Sequence, residues 1–172
     1  MTSAFKMTGQ KELSAFFLAM PQKLQRGSMR AGATAAAAVF RDEARLRVPK
    51  KTGKLAKGIK SGGSRVNPDG SVSARVKLEG PHAFLGIMFE FGVAPHLIGA
   101  GKNGEGITLK IGSNLFEGPI EHPGIAPHPF MRPAFDVAKG RAYQAFYDKV
   151  QANLAKRTGL TLPTVTVTEE DY

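Results

Sequence analysis

At 172 residues the chain fits one domain, or one domain with arms, and its 42% hydrophobic and 22% charged residues argue against wholesale disorder. It has no cysteine, which excludes disulfides, thiolate metal sites and a cysteine nucleophile; no apolar run reaches the ~20 residues of a membrane helix or reads as a signal peptide, so a soluble protein is expected, intracellular or carried in an assembly. The net charge of +10 is uneven: eleven Lys and Arg against Asp42 and Glu43 give +9 between Pro21 and Lys60, and the chain from Ser61 onward is neutral.

Leu13, Phe16, Phe17 and Met20 recur at helical spacing and predict a short helix from Gln10 to Met20. Pro21 suits the first position of a second helix, which runs to Val48 before Pro49 ends it. Leu24, Ala31, Ala35, Ala38, Val39 and Leu46 give that helix an apolar stripe made mostly of alanine, able to approach a neighbour closely. The basic cluster that this helix shares with the Lys50–Lys57 turn suits a polyanion or an acidic partner surface, or else is a solvated helix face. Phe40 is its only aromatic, so the stacking platform that commonly reads bases is missing.

The middle of the chain reads as β. Val72, Ala74, Val76 and Leu78 alternate with polar residues, and Asn67-Pro68-Asp69-Gly70 is a turn signal that makes Ile59–Val66 the hairpin partner. Ala83 to Phe91 is apolar apart from Gly86 and Glu90 and fits either a buried strand or a short helix. Ile107, Leu109 and Ile111 alternate as a further strand, while Gly92–Gly106 and Gly112–Pro129 are rich in Gly and Pro and read as long loops. Phe135, Ala138, Ala142, Phe146, Val150 and Leu154 form the stripe of a last helix from Phe130 to Arg157, closed by Thr158-Gly159. Val165 and Val167 then alternate in a strand-like arm that needs a sheet edge. The order predicts an α+β fold: a small, mostly antiparallel sheet packed on one face by two long helices, with long Gly/Pro loops. Residues 1–159 form a single domain in this reading and 160–172 an extended arm, whose removal after Leu160 is expected to leave the core folded.

Signals for chemistry are weak. Gly99, Gly101 and Gly104 satisfy a dinucleotide-type spacing, but Pro95 precedes them and a strand follows where a helix would have to open. His82, His96, His122 and His128 show no paired helical spacing; Glu117 and Glu121 could join His122 and His128 around a metal, or all four are exposed loop groups. Glu90, between Phe89 and Phe91, is either a buried acid, a partner for a basic residue near Lys50–Lys57, or an outward edge residue. No catalytic residue, cofactor or metal is expected.

Three strings stand out together. They are Ala44-Arg-Leu-Arg-Val-Pro49-Lys-Lys-Thr-Gly53-Lys-Leu55, then Phe84 to Gly92 ending in Phe89-Glu90-Phe91-Gly92, then Ala126-Pro-His-Pro129-Phe130-Met-Arg132-Pro133-Ala134-Phe135. In this order, over Leu13 to Leu154, the set resembles the tail-completion family of long-tailed bacteriophages, small proteins at the head–tail junction. Val93, where family members commonly carry Thr, and the glycine loop Gly99–Gly106 depart from the pattern. The resemblance implies a non-enzymatic virion protein of the neck or tail, made in the host cytoplasm. It implies a ring of this chain, a hexamer by the six-fold symmetry of such tails. Tail-terminator or tail-tube proteins and head-completion or connector proteins would flank that ring, packaged DNA could pass through it, and no membrane is involved.

On this reading Phe91, Gly92, Pro129, Phe130, Arg132, Pro133, Val165 and Val167 are interface candidates, with Phe130 either an anchor to a neighbour or a local staple. Lys50, Lys51, Lys54 and Lys57 are candidates for DNA or an acidic partner. The alternative function is a DNA-binding protein without sequence preference.

Overall fold

The computed structural model describes residues 4–99, 109–111, 113–116 and 119–170. In chain order the elements begin with β1 (Ala4–Thr8), α1 (Gln10–Leu18), α2 (Gln22–Arg47) and α3 (Lys54–Gly58). Four short strands follow: β2 (Ile59–Ser61), β3 (Arg65–Val66), β4 (Val72–Ser73) and β5 (Val76–Leu78). Then come α4 (Ala83–Phe91), β6 (His96–Ile98), β7 (Leu109–Ile111), β8 (Asn114–Phe116), β9 (Ile120–His122), α5 (Met131–Thr158) and β10 (Thr166–Glu170). The fold is α+β, and every strand pair among the described residues is antiparallel. No helix is long and apolar enough to cross a membrane among those residues.

The chain divides into two compact units, one running to Ala83 and resuming at Phe130, the other Phe84–Pro129. In the first, α2 and α5 pack along each other in opposite directions: Ser28 meets Asn153, Gly32 meets Val150 and Phe146, and Phe40 stacks on Phe135. The seam is built of small residues. A Cβ at Gly32 would stand 2.6 Å from Val150 Cγ2, so the approach requires glycine. Ser28, Ala37 and Ala44 on α2, with Ala134, Ala138 and Ala142 on α5, are buried beside it. The stripe expected on α2 is partly met: Leu24 packs on the apolar cluster and Ala31, Ala35, Ala38 and Val39 are half-buried, but Leu46 is exposed, and a seam that selects for small size includes Ser28 and Gly32, which a hydrophobicity count skips. Larger apolar groups gather at one end, where Leu13, Phe17 and Met20 pack with Val150, Leu154 and Leu162. Burying each such side chain contributes about 1.5–3 kcal/mol.

The β2–β5 segment forms the expected hairpin, broken on both sides. Ile59 to Ser61 pairs with Leu78 to Val76, and Arg65–Val66 pairs with Ser73–Val72. Three residues, Gly62 to Ser64, oppose two, Ala74 and Arg75, with Gly62 N donating to Arg75 O at 2.7 Å. The extra residue acts as a bulge and explains why one long alternating strand became two. α2 packs against these strands.

The apolar run Ala83–Phe91, open between strand and short helix, is a helix. Two expectations change. Within the segments read as loops, β6 pairs with β9 and β8 with β7, short strands whose partners lie far along the chain or whose three residues carry too little pattern. The strand-like arm finds its sheet edge inside the same chain, since β10 pairs with β1. The segment before β10 also belongs to the core: Leu162 is buried, Val165 packs on the same cluster, and Tyr147 Oη donates to Pro163 O at 2.8 Å. A cut after Leu160 would strip Leu162 from that cluster rather than spare the core. Ile107, Glu117 and most of the glycine loop lie outside the described residues.

In the second unit, α4 ends at Gly92, whose φ of +75° and 2.8 Å approach to Ile125 O admit only glycine without strain. Val93 and Ile125 exchange both backbone hydrogen bonds at 2.9 Å, and His128 N donates to Phe89 O, so the segment before Pro129 returns to the helix end.

Candidate functional site

The basic segment from Pro21 to Lys60 resolves into two kinds of residue. On α2, Arg30, Arg41 and Arg45 bond the chain's own strand strip. Arg45 donates from Nε and Nη2 to Ile59 O at 3.0 and 2.7 Å, Arg41 Nη1 to Ser61 Oγ at 3.1 Å, and Arg30 Nε to Ser64 O at 3.3 Å. Ser64 Oγ returns a bond to Arg30 O at 2.9 Å. The spacings of eleven and four residues put these three arginines on one helix face, from which they clasp the β2–β3 strip along its length. A planar fork suits that task, because one guanidinium bonds two ways with fixed geometry.

Glu43 is the buried counterpart. Its carboxylate takes Arg47 Nε at 2.7 Å from one turn on and Arg141 Nη2 at 2.6 Å from α5, tying the two long helices together. The hydrogen bond from Arg141, seconded by Arg47, holds the Glu43 carboxyl below its ordinary value although burial pushes the other way. Asp42 is held low in the same direction by Arg41, which grips it at 2.7 Å.

The lysines face out. Lys50, Lys51, Lys54, Lys57 and Lys60 are all exposed, and Lys50, Lys51, Lys54 and Lys57 make no ion pair among the described residues. Gly53, with φ +70°, starts the single turn of α3, and buried Leu55 anchors it so that Lys54 and Lys57 project one turn apart. Arg45, Ala56, Lys57 and Lys60 line an open cleft of about 300 Å³. Across the strand pair Lys60 stands directly opposite Lys77, a like-charge pairing that a sheet disfavours. Lys77 is bridged to Glu79, and these two lysines, Lys77 foremost, keep the Glu79 carboxyl low.

Each unit also carries an exposed apolar surface of its own. On the first unit the Phe40–Phe135 stack, with centroids 4.8 Å apart, divides a groove of about 340 Å³ floored by alanines from a second concavity of about 400 Å³ at Lys139, Ala142 and Tyr143. Phe135 is half-exposed, and Tyr143 Oη is buried without a hydrogen-bond partner. On the second unit Phe84, Ile87 and Phe91 recur at helical spacing on α4 and are 54%, 64% and 67% exposed.

The remaining candidates are scattered by comparison. Phe91, Pro129 and Arg132 are exposed, Pro133 and Gly92 are half-buried, and Phe130 is fully buried. Val165 packs on the core, and Val167 lies opposite Met7 in the β1–β10 pair. Glu90 is buried. His122 comes together with His96 rather than His128: they are cross-strand partners with rings 5.0 Å apart. His122 Nδ1 accepts from Gly124 N at 3.0 Å, and His96 Nδ1 lies 2.9 Å from Ala94 O. No group of three or more His, Asp or Glu able to hold a metal occurs among the described residues. The sequence missed the inward arginines and the Glu43–Arg141 link; the spacing of Arg30, Arg41 and Arg45 on one face was the available signal.

Comparison with known proteins gives a family match. Residues 11–92 match the HK97-gp10-like family, described as "Bacteriophage HK97-gp10, putative tail-component". The matched segment runs from the first turn of α1 through α4 and so contains the arginine face, the lysine strip and the first two of the three motifs. Neither the curated proteins nor the solved structures provide a match. The chain is thus similar over residues 11–92 to a phage tail component, which is consistent with a tail-completion family of tailed phages and supports a structural protein of the phage tail.

Proposed function

We propose that the protein completes the tail of a tailed bacteriophage at the head–tail junction, as a non-enzymatic ring. The HK97-gp10-like match over residues 11–92 carries this reading, and the third motif, Pro129-Phe130-Met-Arg132-Pro133 at the start of α5, extends it beyond the matched segment. Its neighbours would be a tail-terminator or tail-tube ring on one side and head-completion proteins on the other, with six copies following from the symmetry of such tails. It would reside in the neck or tail of the virion after assembly in the host cytoplasm.

The exposed apolar surfaces support an assembling protein, since monomers rarely leave aromatic ridges in water. Phe91, with Phe84 and Ile87, offers one contact with neighbouring copies, and Pro129, Arg132 and Pro133 offer another. Gly92 and buried Phe130 hold those segments in shape. Val165 and Val167 contribute through the packed arm, whose loss would disturb both the core and the assembly.

Imaging of the purified protein, with native mass spectrometry for copy number, tests the ring. Closed rings are the expected result, and a monomer at every concentration tried would contradict it. In infected cells, Phe84, Ile87 and Phe91 changed together to Ser should leave unjoined heads and tails to accumulate. Normal yields of complete particles would remove α4 from the assembly role.

A further inference from the structure

We propose that the lysine strip Lys50, Lys51, Lys54, Lys57 and Lys60, continued by Lys77 around the cleft over Arg45, is a contact surface for the phosphate backbone of duplex nucleic acid. This goes beyond the tail reading, because a tail component need not touch nucleic acid.

The first support is the division of labour within one basic segment. Arg30, Arg41, Arg45 and Arg47 spend their donors on the chain's own carbonyls, hydroxyls and Glu43. Exposed Lys50, Lys51, Lys54 and Lys57 have no such employment among the described residues, so their charge is left over for something else. The second is the sheet register: Lys60 stands directly opposite Lys77, and Glu79, the one carboxylate at this pair among the described residues, is bridged to Lys77, so two positive charges face one negative. The third is shape. The cleft bounded by Arg45, Lys57 and Lys60 is open, about 300 Å³, and floored by Ala56, room for a phosphate group among three cations.

Composition decides between nucleic acid and an acidic protein surface. The centres of protein–protein interfaces are rich in aromatic residues and poor in lysine. Residues 45–60 and 75–79 contain no aromatic residue and many lysines, as a polar, positively charged nucleic-acid interface does. Lysine is a point charge on a flexible stem, suited to phosphates and poorly suited to reading a base edge. The contact is therefore indifferent to sequence and strongly dependent on salt, with up to six phosphates neutralised and a slope of log K against log salt of up to about −5.

The test is the purified full chain titrated into fluorescent duplexes of two unrelated sequences over a range of salt, with polyglutamate as the acidic-protein probe. Wild type should bind both duplexes equally. Lys54→Gln, Lys57→Gln and Lys60→Gln together should flatten the slope by about three, near one per lysine removed, and lower affinity at least tenfold at low salt. Arg at the same three positions should keep the binding, which separates charge from any loss of folding. Lys149→Gln with Lys156→Gln, exposed on α5, should leave it unchanged. Any of four results would overturn the proposal: no duplex binding by wild type, an unchanged slope in the triple variant, an equal loss from the α5 control, or polyglutamate bound more tightly than DNA.

Discussion

Arg45 and Lys57 line the same cleft, carry the same charge and lie twelve residues apart, yet they do opposite things. Arg45 binds the carbonyl of fully buried Ile59 twice over, while Lys57 extends into solvent from a one-turn helix. The contrast extends along the segment: Arg30, Arg41 and Arg45 of α2 fasten a strand strip to their own helix, Arg47 backs the Glu43 carboxylate that binds Arg141 of α5, and Lys50, Lys51, Lys54 and Lys57 make no ion pair among the described residues. Net charge alone cannot separate these roles. The +9 that makes the segment look like a single basic patch is part scaffold and part free surface.

The largest effect should come from stranding Glu43. Arg47→Ala with Arg141→Ala leaves a carboxylate buried without a cation and should cost about 3–5 kcal/mol, read from chemical denaturation. Stability close to wild type would mean that the link between α2 and α5 is incidental. The same site gives the pH dependence. Glu43 titrates lower in the folded state than unfolded, so its contribution is complete above the unfolded value and disappears as pH falls through the ordinary carboxylate range and then the folded value. Wild type should therefore lose more Tm between about pH 6 and pH 3 than Glu43→Gln does.

Arg45→Lys sharpens the comparison, because charge is kept and only the fork is lost. Giving up a two-pronged bond to a buried carbonyl should cost about 1–2 kcal/mol, visible as a lower denaturation midpoint. No change would mean that a point charge serves equally well there. Smallest of all, Lys50→Gln with Lys51→Gln should move stability by no more than about 0.5 kcal/mol, as exposed residues without partners do. A larger loss would show that these lysines support the fold after all.

The sequence displayed the long helices plainly, because α2 and α5 are bounded by Pro49 and Gly159 and carry repeating small or apolar residues. Asn67–Gly70 likewise announced its hairpin. Pairings between distant segments left no local trace: β1 and β10 are joined across nearly the whole chain, and β6 and β9 are three residues each. The α2 seam was hidden for a different reason. Gly32 and Ser28 are chosen there for lack of bulk, and a reading by hydrophobicity prefers Leu46, which the fold leaves in water. Of the candidate site, the lysines after Pro49 were legible as a charge run. That the arginines before it are committed to the chain's own strands required the register of β2 and β3 against α2.

The division between scaffold arginines and free lysines is tested most directly by measuring Tm and duplex-DNA affinity side by side in two variants. One carries Arg30→Gln and Arg41→Gln, neither of which lines the cleft, the other Lys57→Gln and Lys60→Gln, so both lose two charges. The arginine variant should melt several degrees lower while its folded form, assayed well below its midpoint, keeps most of its DNA affinity; the lysine variant should melt as wild type and bind far more weakly. Equal losses of Tm in both, or equal losses of affinity in both, would contradict the division.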